Sequence, residues 1–572
     1  MNPKSQNIAL AIPLVLDVIF NALPLPSLKT ARLVCQTWNE VGTTHLGRRS
    51  VLAVDKLFPC CSLGPMPPLD GKLVRHISYN VDCASDDCNT DTCSDITGVE
   101  CMSKNLGSFL SRIQDEPLEE IHFQVLDELC PVIAEALTNY PFAKLTTISL
   151  DLYGEDYFFD YREEEDDINP LEKYLMTWQC PSFPVRSSLK KLSLWVGDDG
   201  KNKPMPHFRN LFQKLINSAP NLTQLRIVDN FYPDLSTCRK LEVFEYDGFP
   251  LGINVRDELH PAQAHEIYQD DETYKGGKVV QMLDQVKDSV VKVVLGRLPE
   301  EDVELRQHKS HAKASLFILP RLPKLTSLFV HAVNIFGMKD NLNSHRLPKL
   351  QNVALRSSHK CETALVDLLE SMSSTNYDIT SLRICLPPTP DLISRVRTLF
   401  PHVINLELET HYPEKRNLTS HEKVNNFQEM VQIFYNFGQL DHSIVHVTLR
   451  CKLFDAGEAV ESLARMRGLK TLHIIAKSKT GSIGRSNFLP GTQAVFLSCA
   501  AIPTVIMHGL LVTKLTLNQM MDFIKEHNLP IKLEGTRVQQ AKCCMIFDHS
   551  IPFTVQSILE TGNTTASKSC ST

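Results

Sequence analysis

Along most of the chain, apolar residues recur in one short spacing, apolar-x-x-apolar-x-apolar. It stands at Leu189, Leu192 and Leu194, at Leu222, Leu225 and Ile227, and at Leu325, Leu328 and Val330. It returns at Leu350, Val353 and Leu355, at Ile379, Leu382 and Ile384, and at Leu469, Leu472 and Ile474. The last two members of each set lie two residues apart, the period of a strand with one buried face, and the first closes the preceding turn. Weaker copies start at Val74, Leu118, Leu145, Leu241, Val290, Val403, Ile444 and Val512. Together they make about fourteen candidate strands at separations of roughly 20 to 50 residues. Helical patterns intervene, as at 364–372 and 459–466. A strand with its helix is too small to bury its own apolar face, so such units are expected to stack into an α/β solenoid. The competing expectation is an ordinary α/β domain, because any amphipathic strand can produce the triplet.

The first fifty residues keep a different period. Pro13 suits the first turn of a helix, where its missing N–H costs nothing, and Leu16, Ile19, Phe20 and Leu23 come after it at helical spacing. Pro24 and Pro26 end that helix. Ser27 is expected to cap a second, carrying Leu28, Ala31, Leu33, Val34 and Cys35, and a third short helix holds Trp38 and Val41. A unit of about forty residues rarely builds a self-sufficient core, so a partner or a neighbouring domain is expected to cover part of it.

The ordered set Pro13, Ile19-Phe20, Leu23, Leu28, Val34-Cys35 and Trp38 resembles the F-box family. By that resemblance Pro13, Leu14, Leu16, Ile19, Phe20 and Leu23 bury against a Skp-family adaptor, and Leu28, Val34, Cys35 and Trp38 complete the surface. The family usually places Leu-Pro one residue further from Ile-Phe and an acid soon after the Pro, whereas Leu14 or Val15 stands there in this chain. The triplets resemble the degenerate leucine-rich arrays of F-box proteins, in which the Asn ladder of regular leucine-rich repeats is mostly missing. The implied organisation is an F-box at 8–50, a Pro-rich linker at 51–72, an irregular leucine-rich horseshoe at 73–555 and a disordered tail at 556–572.

Composition narrows the class further. The 572 residues are 43% hydrophobic and 22% charged, as in a soluble globular protein. A net charge of -7 gives no general attraction for nucleic-acid phosphates, and no nucleic-acid or membrane partner is expected. The 17 cysteines are an odd set with no C-x-x-C pair, which fits reduced thiols in the cytoplasm or nucleus and removes the usual zinc-module signature. An apolar run from Ile8 to Leu16 resembles a short signal-peptide core, but Pro13 sits inside it and Asp17 breaks it off.

Little else carries chemistry. Cys83, Cys88, Cys93 and Cys101 lack the paired spacing of a zinc knuckle, so no metal is expected. The acidic, aromatic run 155–167 reads as an insertion that either is solvated or meets a basic partner. Gly276-Gly277-Lys278 lacks the first glycine of a phosphate loop, and no G-x-S-x-G or H-E-x-x-H occurs. No catalytic residue and no cofactor is therefore expected.

The expected function is that of a non-catalytic substrate receptor in a cullin-based ubiquitin ligase, with the cullin reached through the adaptor and an unknown protein substrate held by the array. Two alternatives stand beside it. One is a leucine-rich interaction scaffold with an N-terminal helical cap and no ubiquitin role. The other is an extracellular repeat protein whose first segment is cleaved.

Overall fold

A computed structural model describes residues 12–54, 71–80, 106–113, 116–126, 129–140, 142–153, 178–197, 206–229, 231–247, 277–296, 319–331, 342–356, 369, 372, 378–385, 399–409, 444–451, 460, 463–464, 468–476 and 490–539. The chain forms two compact units, residues 1–310 with 315–324, and residues 311–314 with 325–572. The acidic run 155–167, the cysteine segment 83–101 and the tail 556–572 lie outside the described residues.

The first unit opens with three helices, α1 (Pro13–Ala22), α2 (Leu25–Ala31) and α3 (Gln36–Arg49). Parallel strands come next in chain order: β1 (Leu52–Ala53), β2 (His76–Asn80), β3 (Glu120–Leu126), β4 (Thr147–Tyr153), β5 (Lys191–Gly197), β6 (Gln224–Val228), β7 (Val243–Asp247) and β8 (Lys292–Leu295). Parallel neighbours need crossovers. Helices α4 (Cys130–Asn139), α5 (Pro206–Ser218) and α6 (Gly277–Gln285) lie between β3 and β4, β5 and β6, and β7 and β8. The expected α/β class and the N-terminal helical region are thus both present.

The triplets account for the core. Ile77, Ile121, Ile148, Leu192, Leu225, Phe244 and Val293 stand in one register row, and each is buried. Two residues on, Tyr79, Phe123, Leu150, Leu194, Ile227, Tyr246 and Leu295 form a second buried row. The first apolar member, from Val74 to Val290, is buried at every one of these turns. Each fully buried side chain of this kind contributes about 1.5–3 kcal/mol by leaving water.

Successive coils are tied by main chain in place of an Asn ladder. The carbonyl of Arg75 accepts from the N–H groups of Glu119 and Glu120 at 2.8 and 3.0 Å. Glu119, Thr146, Lys190, Thr223 and Glu242 each accept two consecutive N–H groups from the next coil in the same way. A backbone carbonyl does this whatever its side chain, so irregular sequence is tolerated at these turns.

The second unit repeats the plan. Strands β9 (Ser327–His331), β10 (Asn352–Arg356), β11 (Ser381–Cys385), β12 (Asn405–Glu409), β13 (His446–Cys451), β14 (Thr471–Ala476) and β15 (Thr504–His508) are parallel and in order. Helix α7 (Pro490–Ser498) precedes β15. Thr326, Gln351, Thr380, Ile404 and Val445 supply the paired carbonyl links. Of the two helical patterns expected here, the described residues Leu369, Met372, Val460 and Leu463 are helical and buried.

One expectation needs correction at the unit's end, and one strand went unread. Val512 does not open a strand triplet: it lies in β16 (Leu511–Thr513), whose chain turns directly into α8 (Lys514–Glu526) under an N-cap bond from Thr516 N–H to Thr513 Oγ1. That Thr cap redirects the chain. The triplet that does form a strand is Ile502, Val505 and Met507, all buried, with Pro503 inside it. Strand β17 (Ile531–Glu534) pairs with β15, and β18 (Arg537–Gln539) pairs with β16.

Candidate functional site

The N-terminal helices begin as their prolines dictate. Pro13 opens α1, Ile12 precedes it in extended backbone, and the Ile12 carbonyl accepts from Val15 and Leu16. Leu23 returns to extended backbone before Pro24. Ser27 is not a cap: α2 starts at Leu25 after Pro24, and Ser27 lies inside it. Two prolines supply preset φ angles there, which replaces the side-chain cap.

All three helices converge on one small core. Leu16, Phe20, Leu28 and Leu46 close it, with Ile19, Leu23, Trp38 and Val41 packed around. The Phe20 ring meets Trp38 edge-on at 5.4 Å and His45 at 6.3 Å, geometries that aromatic quadrupoles favour. Leu73 from a 3₁₀ turn at Gly71–Leu73 also packs on this core. A Cβ on Gly47 would strike the Lys72 carbonyl, so only glycine lets α3 come this close. The residues assigned to a linker at 51–72 therefore begin with β1, paired to β2, and end in a turn packed on the helices.

This packing divides the ten residues expected to face an adaptor. Leu16, Phe20 and Leu28, expected to bury against an adaptor, are 0% exposed and buried in the chain's own core instead of standing on an outward surface. Ile19, Leu23 and Trp38 are half-buried at the core's margin. Pro13, Leu14, Val34 and Cys35 are exposed, Leu14 at 79% and Val34 at 64%. Phe20 is enclosed because α3 is a fourteen-residue helix rather than a short one, long enough to carry Trp38, His45 and Leu46 across it.

Sequence reasoning missed part of the outward set. Val18 is 72% and Leu33 77% exposed, with Ile12 and Val15 also in solvent. Of the large apolar residues left exposed among the described residues, six fall between Ile12 and Val34 and five in all the rest. Helical spacing separates the two sets without saying which is inside: Leu14 and Val18 are four apart on one face, opposite Leu16 and Phe20.

Polar groups tie α3 to α1. His45 Nε2 lies 2.7 Å from Asp17 Oδ1 across the α1–α3 contact. Arg49 Nη1 donates to the carbonyls of Leu23 at 2.6 Å and Phe20 at 3.3 Å, satisfying the open end of α1.

The strands offer a second polar face. In the first unit His122 of β3 lies 3.6 Å from Asp151 of β4, and Lys292 lies 3.3 Å from Glu245. Burial pushes the Asp151 carboxyl above the ordinary carboxylate value, against the pull of His122 and Arg226. In the second unit Arg383 Nε meets Glu407 Oε1 at 3.1 Å, and its guanidinium lies over the Phe329 ring. Burial also raises the thiols of Cys180 and Cys238 to about 11 and of Cys499 to about 12, the reverse of an activated nucleophile.

Among the described residues no group of His, Cys, Asp or Glu side chains is arranged to hold a metal ion. No helix among them is long and apolar enough to cross a membrane. No protein-family model matches the chain, and no curated protein matches it in sequence.

Proposed function

We propose that this protein is a substrate receptor without catalysis of its own. Its N-terminal helices act as an F-box that docks on a Skp-type adaptor and through it on a cullin scaffold. Its strand units act as an irregular leucine-rich horseshoe that selects a protein substrate in the cytoplasm or nucleus. One observation supports the reading: the helices expected to dock leave Leu14, Val18, Leu33 and Val34 bare, more large exposed apolar residues than so short a segment needs for folding. The docking set is accordingly Pro13, Leu14, Val15, Val18, Leu33, Val34 and Cys35, with Trp38 at its margin.

The test is adaptor capture by the full chain carrying Leu14→Asp with Val18→Asp. Burying a charge in an apolar interface is costly, so capture is expected to weaken by at least about a hundredfold while hydrogen exchange of the strands stays unchanged. Undiminished capture by that variant sinks the reading. Failure of the native chain to hold any Skp-type adaptor favours the plain interaction scaffold instead.

A further inference from the structure

Helix α1 is apolar on two faces. At about 100° per residue, Leu16, Ile19, Phe20 and Leu23 line one side, and Leu14, Val15 and Val18 line the other. Both sides carry large aliphatic residues, so hydrophobic burial alone discriminates weakly between them. Within α1 only Asp17 and Asn21 are polar, and they lie on one narrow strip between the two faces.

Helix α3 reads that strip. The His45 ring is 4% exposed, and its Nε2 is 2.7 Å from Asp17 Oδ1. Four residues further along α3, on the same side of the helix, Arg49 grips the carbonyls of Phe20 and Leu23. One contact thus holds the middle of α1 and the other its end. Turning α1 about its axis would carry Asp17 away and strip a buried imidazole of this partner, the kind of loss that costs more than the bond itself is worth.

We infer that His45, paired with Asp17 and seconded by Arg49, sets the rotation of α1 and so chooses which of its two apolar faces a partner meets. These are positioning residues. The inference deepens the docking reading and rests on it for the identity of the partner, whereas the rotation of α1 is a property of the chain alone.

Side-chain oxidation footprinting of the full chain, read by peptide mass spectrometry, reports that rotation without any adaptor. In the native protein Leu14 and Val18 are modified and Phe20 is protected. Asp17→Ala is expected to raise Phe20 modification and lower that of Leu14 and Val18, and to weaken adaptor capture by up to about tenfold, since the bond is partly exposed. Asp17→Asn keeps an oxygen to accept the Nε2 proton and is expected to restore both readouts. An unchanged Asp17→Ala footprint overturns the inference, and so does a rise on both faces that Asn fails to reverse, which marks simple fraying. A footprint that shifts and is rescued, in a chain that captures no adaptor, upholds the rotation and rejects the docking reading.

Discussion

Between Leu118 and Leu295 every inward position of the described strands is closed to solvent, whereas between Ile12 and Val34 the chain leaves six large apolar residues uncovered. The two regions are made of similar residues. They differ in geometry: a strand stacked in parallel finds a neighbour on each side and backbone links to hold it, while α1 offers apolar surface around most of its circumference to a core on one side. Surplus apolar surface in the helices therefore points outward, and selection for solubility alone would not keep it.

Thiol chemistry gives the widest contrast. Cys35 is exposed at the start of α3, while Cys238 is buried with a thiol near 11. At pH 8 such a thiol is ionised to roughly one part in a thousand, before access is considered. Alkylation tracked peptide by peptide should modify Cys35 at least roughly a hundredfold sooner than Cys238. Comparable rates would erase the distinction between an open helical segment and a closed array.

Paired substitutions within the helices come next. Phe20→Ala should cost about 3–5 kcal/mol, seen as lost hydrogen-exchange protection across residues 13–49, because it empties the centre of the core. Leu33→Asp, on a residue already 77% exposed, should change stability by no more than about 0.5 kcal/mol. Equal costs would mean that the exposed residues serve folding after all.

The smallest effect belongs to the array's polar face. Burial raises the Asp151 carboxyl, so the folded chain keeps this proton at pH values where the unfolded chain has released it. Its contribution to stability therefore falls as pH rises from the ordinary carboxylate value through the raised one, and is regained on acidification. The thermal midpoint of the native protein minus that of Asp151→Asn should decline across that window and be level on either side. A difference that is flat throughout would show that His122 and Arg226 offset the burial in full.

Most of the strand plan was legible because period-2 burial is written in adjacent residues. The exceptions include the short β1, β17 and β18, the strand of Val505 and Met507, masked by Pro503, and Val512, whose short strand gives way at a threonine cap to a helix. The outward-facing apolar residues were legible only in part. Proline placement and apolar spacing located the helices, and the F-box resemblance named Leu14 and Val34 together with Leu16, Phe20 and Leu28, the last three of which the chain's own core encloses.

The sequence by itself determined the alternation of strand triplets with helices and the three proline-started helices at the front, since both arise from local spacing and backbone restriction. Which apolar residues close the core and which remain outside was decided by tertiary structure alone. The packing of α3 over Phe20, the glycine contact at Lys72 and the reach of His45 to Asp17 set that division, and all three depend on residues far apart in the chain meeting in the fold.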